Sequence, residues 1–105
     1  METHLATRLT ITAAKLIQDR ITRIIEDKGA AAYSIFEGSG RGHHDSRARL
    51  RPQIIGEFTI VKIEVVLMDR AIVDAIVEEI AQTLFTEHSG IAYIDSVEVL
   101  RPAKF

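Results

Sequence analysis

Polar and apolar residues alternate along residues 6–12. Leu9 and Ile11 face one way, and Arg8, Thr10 and Thr12 the other, which predicts a strand. The period then changes. Over residues 13–28 the apolar positions Ile17, Ile21, Ile24 and Ile25, with Leu16 beside them, recur as one helical face. Gln18, Asp19, Arg23, Glu26 and Asp27 lie opposite. Thr12 stands where a cap would be, and Gly29 where a helix takes its left-handed terminator. Alternation resumes over residues 30–37, with Tyr33 and Ile35 on one face and Ala32, Ser34 and Phe36 on the other. Residues 58–67 are the most β-branched stretch. Val61, Ile63, Val65 and Leu67 form one row, and Ile60, Lys62, Glu64 and Val66 the other. Asp69 is placed to cap a helix over residues 71–85 whose apolar face is Ile72, Val73, Ile76, Val77, Ile80 and Leu84. A polar turn, 86–90, leads to a last strand over residues 91–100, and Pro102 ends the ladder.

The order is strand–helix–strand, loop, strand–helix–strand. Two such halves predict an α+β, ferredoxin-like βαββαβ domain: a four-stranded antiparallel sheet with two helices on one face and a long loop between strands 2 and 3. At 105 residues the chain is a single domain, 1–105. Several strands are apolar on both faces. Ile60 and Val66 oppose the Val61/Ile63/Val65 row, and Tyr93, Val97 and Val99 oppose Ile94 and Leu100. Two helices cover one sheet face only, so self-association is expected to cover the other.

Composition narrows the picture. With 47% hydrophobic and 27% charged residues the chain reads as an ordinary globule. It has no cysteine, which excludes a disulfide frame, a thiol nucleophile and a cysteine-based zinc site. No basic leader with an apolar core opens the sequence, and no apolar run approaches a membrane span. A cytoplasmic protein, not inserted in a membrane, is expected.

The charge is uneven. The net charge is −2, yet residues 38–56 carry Arg41, Arg47, Arg49 and Arg51 against a single acid, Asp45, together with four glycines. A connection this long is usually functional. Gly38, Gly40 and Gly42 alternate directly after a strand, a pattern that can aim backbone N–H groups at a phosphate or carboxylate, or can serve as a hinge. Arg41 can clamp the same anion with its planar fork. Arg47, Arg49 and Arg51 alternate too, and read either as a phosphate-binding row or as a solvated charge run. The segment lacks the interleaved aromatics of a base-stacking platform, so no nucleic-acid partner is expected. The glycines match neither the P-loop nor the dinucleotide fingerprint. His43, His44 and Asp45 resemble metal ligands in type, but adjacent residues rarely aim at one ion. No nucleophile with an orienting partner stands out, and no enzyme activity is expected.

Taken together, the βαβ–loop–βαβ order, the Gly-x-Gly-Arg pattern Gly38-Ser39-Gly40-Arg41 at the loop base, the strand Val61-Lys62-Ile63-Glu64-Val65-Val66 and an aromatic strand after a Gly-containing turn resemble the PII signal-transduction superfamily. The stretches Ile24-Ile25-Glu26-Asp27-Lys28-Gly29-Ala30, Tyr33-Ser34 and 85–94 (FTEHSGIAYI) are similar to the PII-like proteins associated with carboxysomes or a bicarbonate transporter. The resemblance implies a homotrimer with an adenine nucleotide (ADP or AMP, or ATP) in each cleft between subunits, and bicarbonate as a further ligand. By position it implies that Ser34 helps hold the adenine and that Gly38, Ser39, Gly40, Arg41 and Gly42 wrap the phosphates. Arg47 would reach a phosphate or bicarbonate beside Gly40 and Arg41. His88, Ser89 and Gly90 would form the shorter turn, with Arg101 approaching from the last strand. It implies no prosthetic group, and a loop that reports ligand state to a bicarbonate transporter or a carboxysome-linked protein. Gly42 stands where nitrogen-regulatory members carry a glutamine used for 2-oxoglutarate, and the loop-tip tyrosine and turn lysine of those members are absent. An alternative within the same fold is a trimeric divalent-metal-binding protein using His43, His44 and His88. A nucleotide-hydrolysing enzyme is a further alternative.

Overall fold

The structure is a computed structural model that describes residues 1–42 and 56–100, with the backbone alone at 42 and 56–58. Strand β1 (His4–Ala14) runs through a 3-10 turn (Lys15–Ile17) into helix α1 (Gln18–Asp27). Strands β2 (Ser34–Gly42) and β3 (Gly56–Leu67) follow, then helix α2 (Arg70–Gln82), a second 3-10 turn (Leu84–Thr86) and strand β4 (Gly90–Val99). The strands form one sheet in the order β2-β3-β1-β4, and every pairing is antiparallel. The expected ferredoxin-like architecture is observed.

The core lies between the helices and one sheet face. Leu9 and Ile11 of β1, Val61, Ile63 and Val65 of β3, Ile21 and Ile25 of α1, and Val73 and Ile76 of α2 are all fully buried. These are the apolar rows that the two periodicities pick out, and burying each such side chain is worth about 1.5–3 kcal/mol. Helix α2 starts where Asp69 accepts a hydrogen bond from the Ala71 N–H at 2.9 Å. Helix α1 ends in a Schellman motif. The Ala30 N–H donates to Ile25 O at 3.2 Å and the Gly29 N–H to Glu26 O at 3.1 Å, with Gly29 at φ 105. Lys28 Nζ then ties α1 to Glu79 of α2 at 2.9 Å.

Several boundaries differ from expectation: β1 and β3 start ahead of residues 6 and 58, and α2 closes at Gln82 rather than residue 85. Thr12 does not cap a helix: it is paired inside β1, with Lys62 on one side and Ile91 on the other. Pairing on both sides carries β1 on to Ala13, pairing with Ile60 alone carries it to Ala14, and α1 begins without a side-chain cap at Ile17. Strand β2 starts at Ser34 rather than Ala30, because the Schellman turn occupies Ala30. It also runs on to Gly42, which pairs with Gly56. The stretch 38–42, expected as the start of the loop, is therefore the outer half of a β-ribbon, and only 43–55 lies outside the described residues.

Among the described residues nothing covers the other sheet face. Its centre holds Arg8, whose Nε and Nη2 grip the two carboxylate oxygens of Asp95 at 3.0 and 2.6 Å. Phe36, Ile91 and Tyr93 are exposed on the same face. Thr10 is 2% exposed although it faces the open side, where Glu64 and Tyr93 are its cross-strand neighbours.

Candidate ligand site

Strand alternation divides the candidate residues of β2 between two faces. Ser34, Phe36, Gly38 and Gly40 share the open face with their register partners Glu64, Lys62, Ile60 and Phe58. Glu37 lies on the helix side, where Lys15 Nζ reaches its Oε2 at 2.6 Å. Ser39 and Arg41 continue that second row along the ribbon. Strand β2 is an edge of the sheet. In an antiparallel ladder every second residue turns its N–H and C=O away from the partner strand. A cradle of successive N–H groups is thus replaced by an edge that offers alternate N–H groups between 34 and 42.

The two inner glycines are not equivalent. A Cβ on Gly40 would sit 2.9 Å from Ile60 Cγ2, so Ile60 already fills that space. At Gly38 nothing lies within 4 Å of the same position, and the backbone stays open to an approaching ligand.

The second candidate element is the turn from α2 to β4. The 3-10 turn closes with the Thr86 hydroxyl donating to Thr83 O at 2.6 Å. The His88 N–H donates to Leu84 O at 2.9 Å. His88 and Ser89 are half-buried. Gly90 opens β4 opposite Ala13. A Cβ on it would meet Phe85 Cε1 at 2.5 Å and Thr12 O at 3.2 Å. The Phe85 ring thus lies against bare backbone, and only glycine admits it.

The two elements lie at one end of the sheet, since Gly38 pairs with Ile60, Ile60 with Ala14, and Ala13 with Gly90. They occupy opposite edges, however. Strands β3 and β1 stand between them, three strand spacings or roughly 14 Å. One chain does not bring Ser34, Gly38, Ser39, Gly40 and Arg41 against His88, Ser89 and Gly90. Arg47, Arg101, His43, His44 and Asp45 lie outside the described residues, as does the rest of 43–55 in the expected 38–56 loop. Among the described residues no three His, Asp or Glu side chains gather as a metal site, and no helix is long and apolar enough to cross a membrane.

Sequence reasoning passed over several pairings. Tyr33 donates to Glu26 Oε2 at 2.5 Å. That bond, with some burial, raises the tyrosine above its ordinary range. The Arg8 guanidinium, by hydrogen bond and charge, holds Asp95 below the usual carboxylate range, and is itself raised. Phe36 lies beside Lys62, whose Nζ is 5.5 Å from the ring centroid. Alternation put Phe36 on the face of Ser34, but its cross-strand neighbour depends on register, which no local pattern states.

Comparison with known proteins bears on this geometry. The family model for the nitrogen regulatory protein P-II matches residues 6–104. A Thermus thermophilus protein described as PII-like and signalling superposes with a TM-score of 0.77 at 23% identity, covering 100% of this chain and 99% of that one. CPII of Thiomonas intermedia, a PII-like protein bound to ADP, AMP and bicarbonate, gives 0.76 at 22% identity, covering 96% and 99%. The Bacillus subtilis GlnK–ATP complex gives 0.63 at 14% identity, covering 92% and 85%.

Proposed function

Because the chain belongs to the nitrogen regulatory P-II family, we propose that it is a non-enzymatic, cytoplasmic signalling protein that binds ADP or AMP, with ATP as a weaker alternative, at clefts between the subunits of a homotrimer. The observation that carries this reading is the placement of the two candidate elements. The open face of β2 and the 88–90 turn share one end of the sheet but lie on opposite edges. A ligand touching both is held between β2 of one copy and the β4 turn of the next. The uncovered sheet face, with Ile91 and Tyr93 exposed on it, supplies surface for such an assembly.

Within that cleft Ser34 contacts the adenine, and the open backbone at Gly38, with Ser39, Gly40, Arg41 and Gly42, lies along the phosphates. His88, Ser89 and Gly90 line the facing wall, with Arg101 near them. Arg47, together with Gly40 and Arg41, is the candidate anchor for bicarbonate. The CPII complexes with ADP, AMP and bicarbonate support this choice of ligands. Their bound bicarbonate supports a role in inorganic-carbon metabolism, in which the 38–56 segment is presented to a protein partner, a bicarbonate transporter or a carboxysome-linked protein. Family membership favours this reading over metal binding through His43, His44 and His88.

The test is calorimetric titration with AMP, ADP and ATP, each with and without bicarbonate, with light scattering for the mass. Micromolar binding of ADP or AMP near one site per chain, altered by bicarbonate, in a particle of three chains is the expected result. Binding of no adenine nucleotide overturns the reading.

A further inference from the structure

The open face of β2 carries a feature the candidate residues leave out. Phe36 stands between Ser34 and Gly38 on that face, and its ring is 55% exposed. On one side of the ring is a hydroxyl. On the other is the Gly38 backbone, where nothing lies within 4 Å of a Cβ position, while Ile60 closes the space at Gly40 just beyond. Lys62, its Cα partner on β3, holds its ammonium 5.5 Å from the ring centroid, and among the described residues it forms no ion pair. An exposed aromatic face, an adjacent hollow over bare backbone and an uncommitted cation are together what a flat base with a charged tail requires.

We infer that Phe36 and Lys62 are ligand-contacting residues: the Phe36 ring is the platform for the purine or its ribose, and the Lys62 ammonium takes a phosphate oxygen. The inference rests on the adenine-nucleotide reading above and adds two contacts to it. The geometry explains how a site built on glycines gains apolar contact area. Alternation leaves one large side chain in the row Ser34, Phe36, Gly38, Gly40, at the point where the row passes from polar side chain to open backbone. The cation rests near the ring and, among the described residues, can turn to a phosphate without breaking an ion pair.

Three variants test this. Phe36→Leu keeps apolar bulk without the ring and is expected to weaken ADP and adenosine alike, by about tenfold, with no change in particle mass. Lys62→Gln is expected to weaken ADP about tenfold and to leave adenosine unchanged. The chain has no tryptophan, so Phe36→Trp provides a single reporter whose fluorescence should be quenched as ADP is added. Unchanged affinity in Phe36→Leu with no quenching in Phe36→Trp overturns the platform. So does a loss of affinity that follows dissociation of the particle, because the ring is then a subunit contact. Equal effects of Lys62→Gln on ADP and adenosine overturn the phosphate role. A wild-type protein that binds neither ligand overturns the nucleotide reading itself.

Discussion

Single residues carry the sharpest distinctions in this structure. Gly38 and Gly40 belong to one short motif and look interchangeable, yet Ile60 sits at 2.9 Å from one Cβ position and nothing lies within 4 Å of the other. Gly38→Ala should therefore leave thermal stability nearly unchanged while lowering nucleotide affinity. Gly40→Ala should cost about 1–3 kcal/mol of stability, because Ile60 must be displaced. Thermal melts and ADP titrations of the pair check both statements. Gly90→Ala is the most damaging of these changes: its Cβ meets the Phe85 ring at 2.5 Å and the Thr12 carbonyl at 3.2 Å. We expect a loss of ~3 kcal/mol or more in chemical denaturation. Arg41→Ala and Arg47→Ala should each weaken ADP binding by roughly tenfold to a hundredfold, as removal of a charged donor to phosphate would. Calorimetry that finds wild-type affinity in both would remove the arginines from the phosphate site.

At the scale of elements, the helices were largely legible in advance and the strand ends were not. Asp69 caps α2, and Gly29 ends α1 with positive φ, because the chemistry of a helix end is local: one side chain or one missing Cβ satisfies groups a few residues away. Asp69→Ala should accordingly cost about 1 kcal/mol, read from the denaturation midpoint. Strand ends depend on what lies alongside. Thr12 has the composition of a cap but is paired on both sides, and β1 runs on to Ala14 because its partner Ile60 is still in register. Gly38 to Gly42 read as loop by composition, yet Gly56 to Ile60 run opposite them as a partner strand. The Arg8–Asp95 pair also depends on register. Asp95 is held below the ordinary carboxylate range when folded, so the pair contributes stability above about pH 4 that is lost as pH falls through the depressed value. Asp95→Asn should flatten that acid limb of the stability–pH curve and leave the neutral-to-basic limb in place.

For the whole molecule, the question is what covers the open sheet face. Its apolar rim and its half-exposed ion pair suit contact with further copies of the chain better than solvent. Val97→Lys places a charge on that face beside the Ala6 position. It should lower the mass seen by light scattering to that of one chain while far-UV circular dichroism stays native. Nucleotide binding should fall in parallel, since the proposed site joins β2 of one copy to the 88–90 turn of the next. Retained affinity in a monomeric variant would mean that a single chain holds the ligand.

The order of elements, the stop of α1 at Gly29 and the start of α2 at Asp69, the apolar rows of the core and the family resemblance were all contained in the sequence. They rest on periodicity and short-range chemistry, which each segment expresses by itself. Strand register, the extension of β2 to Gly42, the pairing of Phe36 with Lys62 and of Arg8 with Asp95, and the separation of the two candidate elements onto opposite edges were decided by the tertiary structure. Those features follow from which strand lies beside which, and no stretch of chain carries that information until its neighbour is in place.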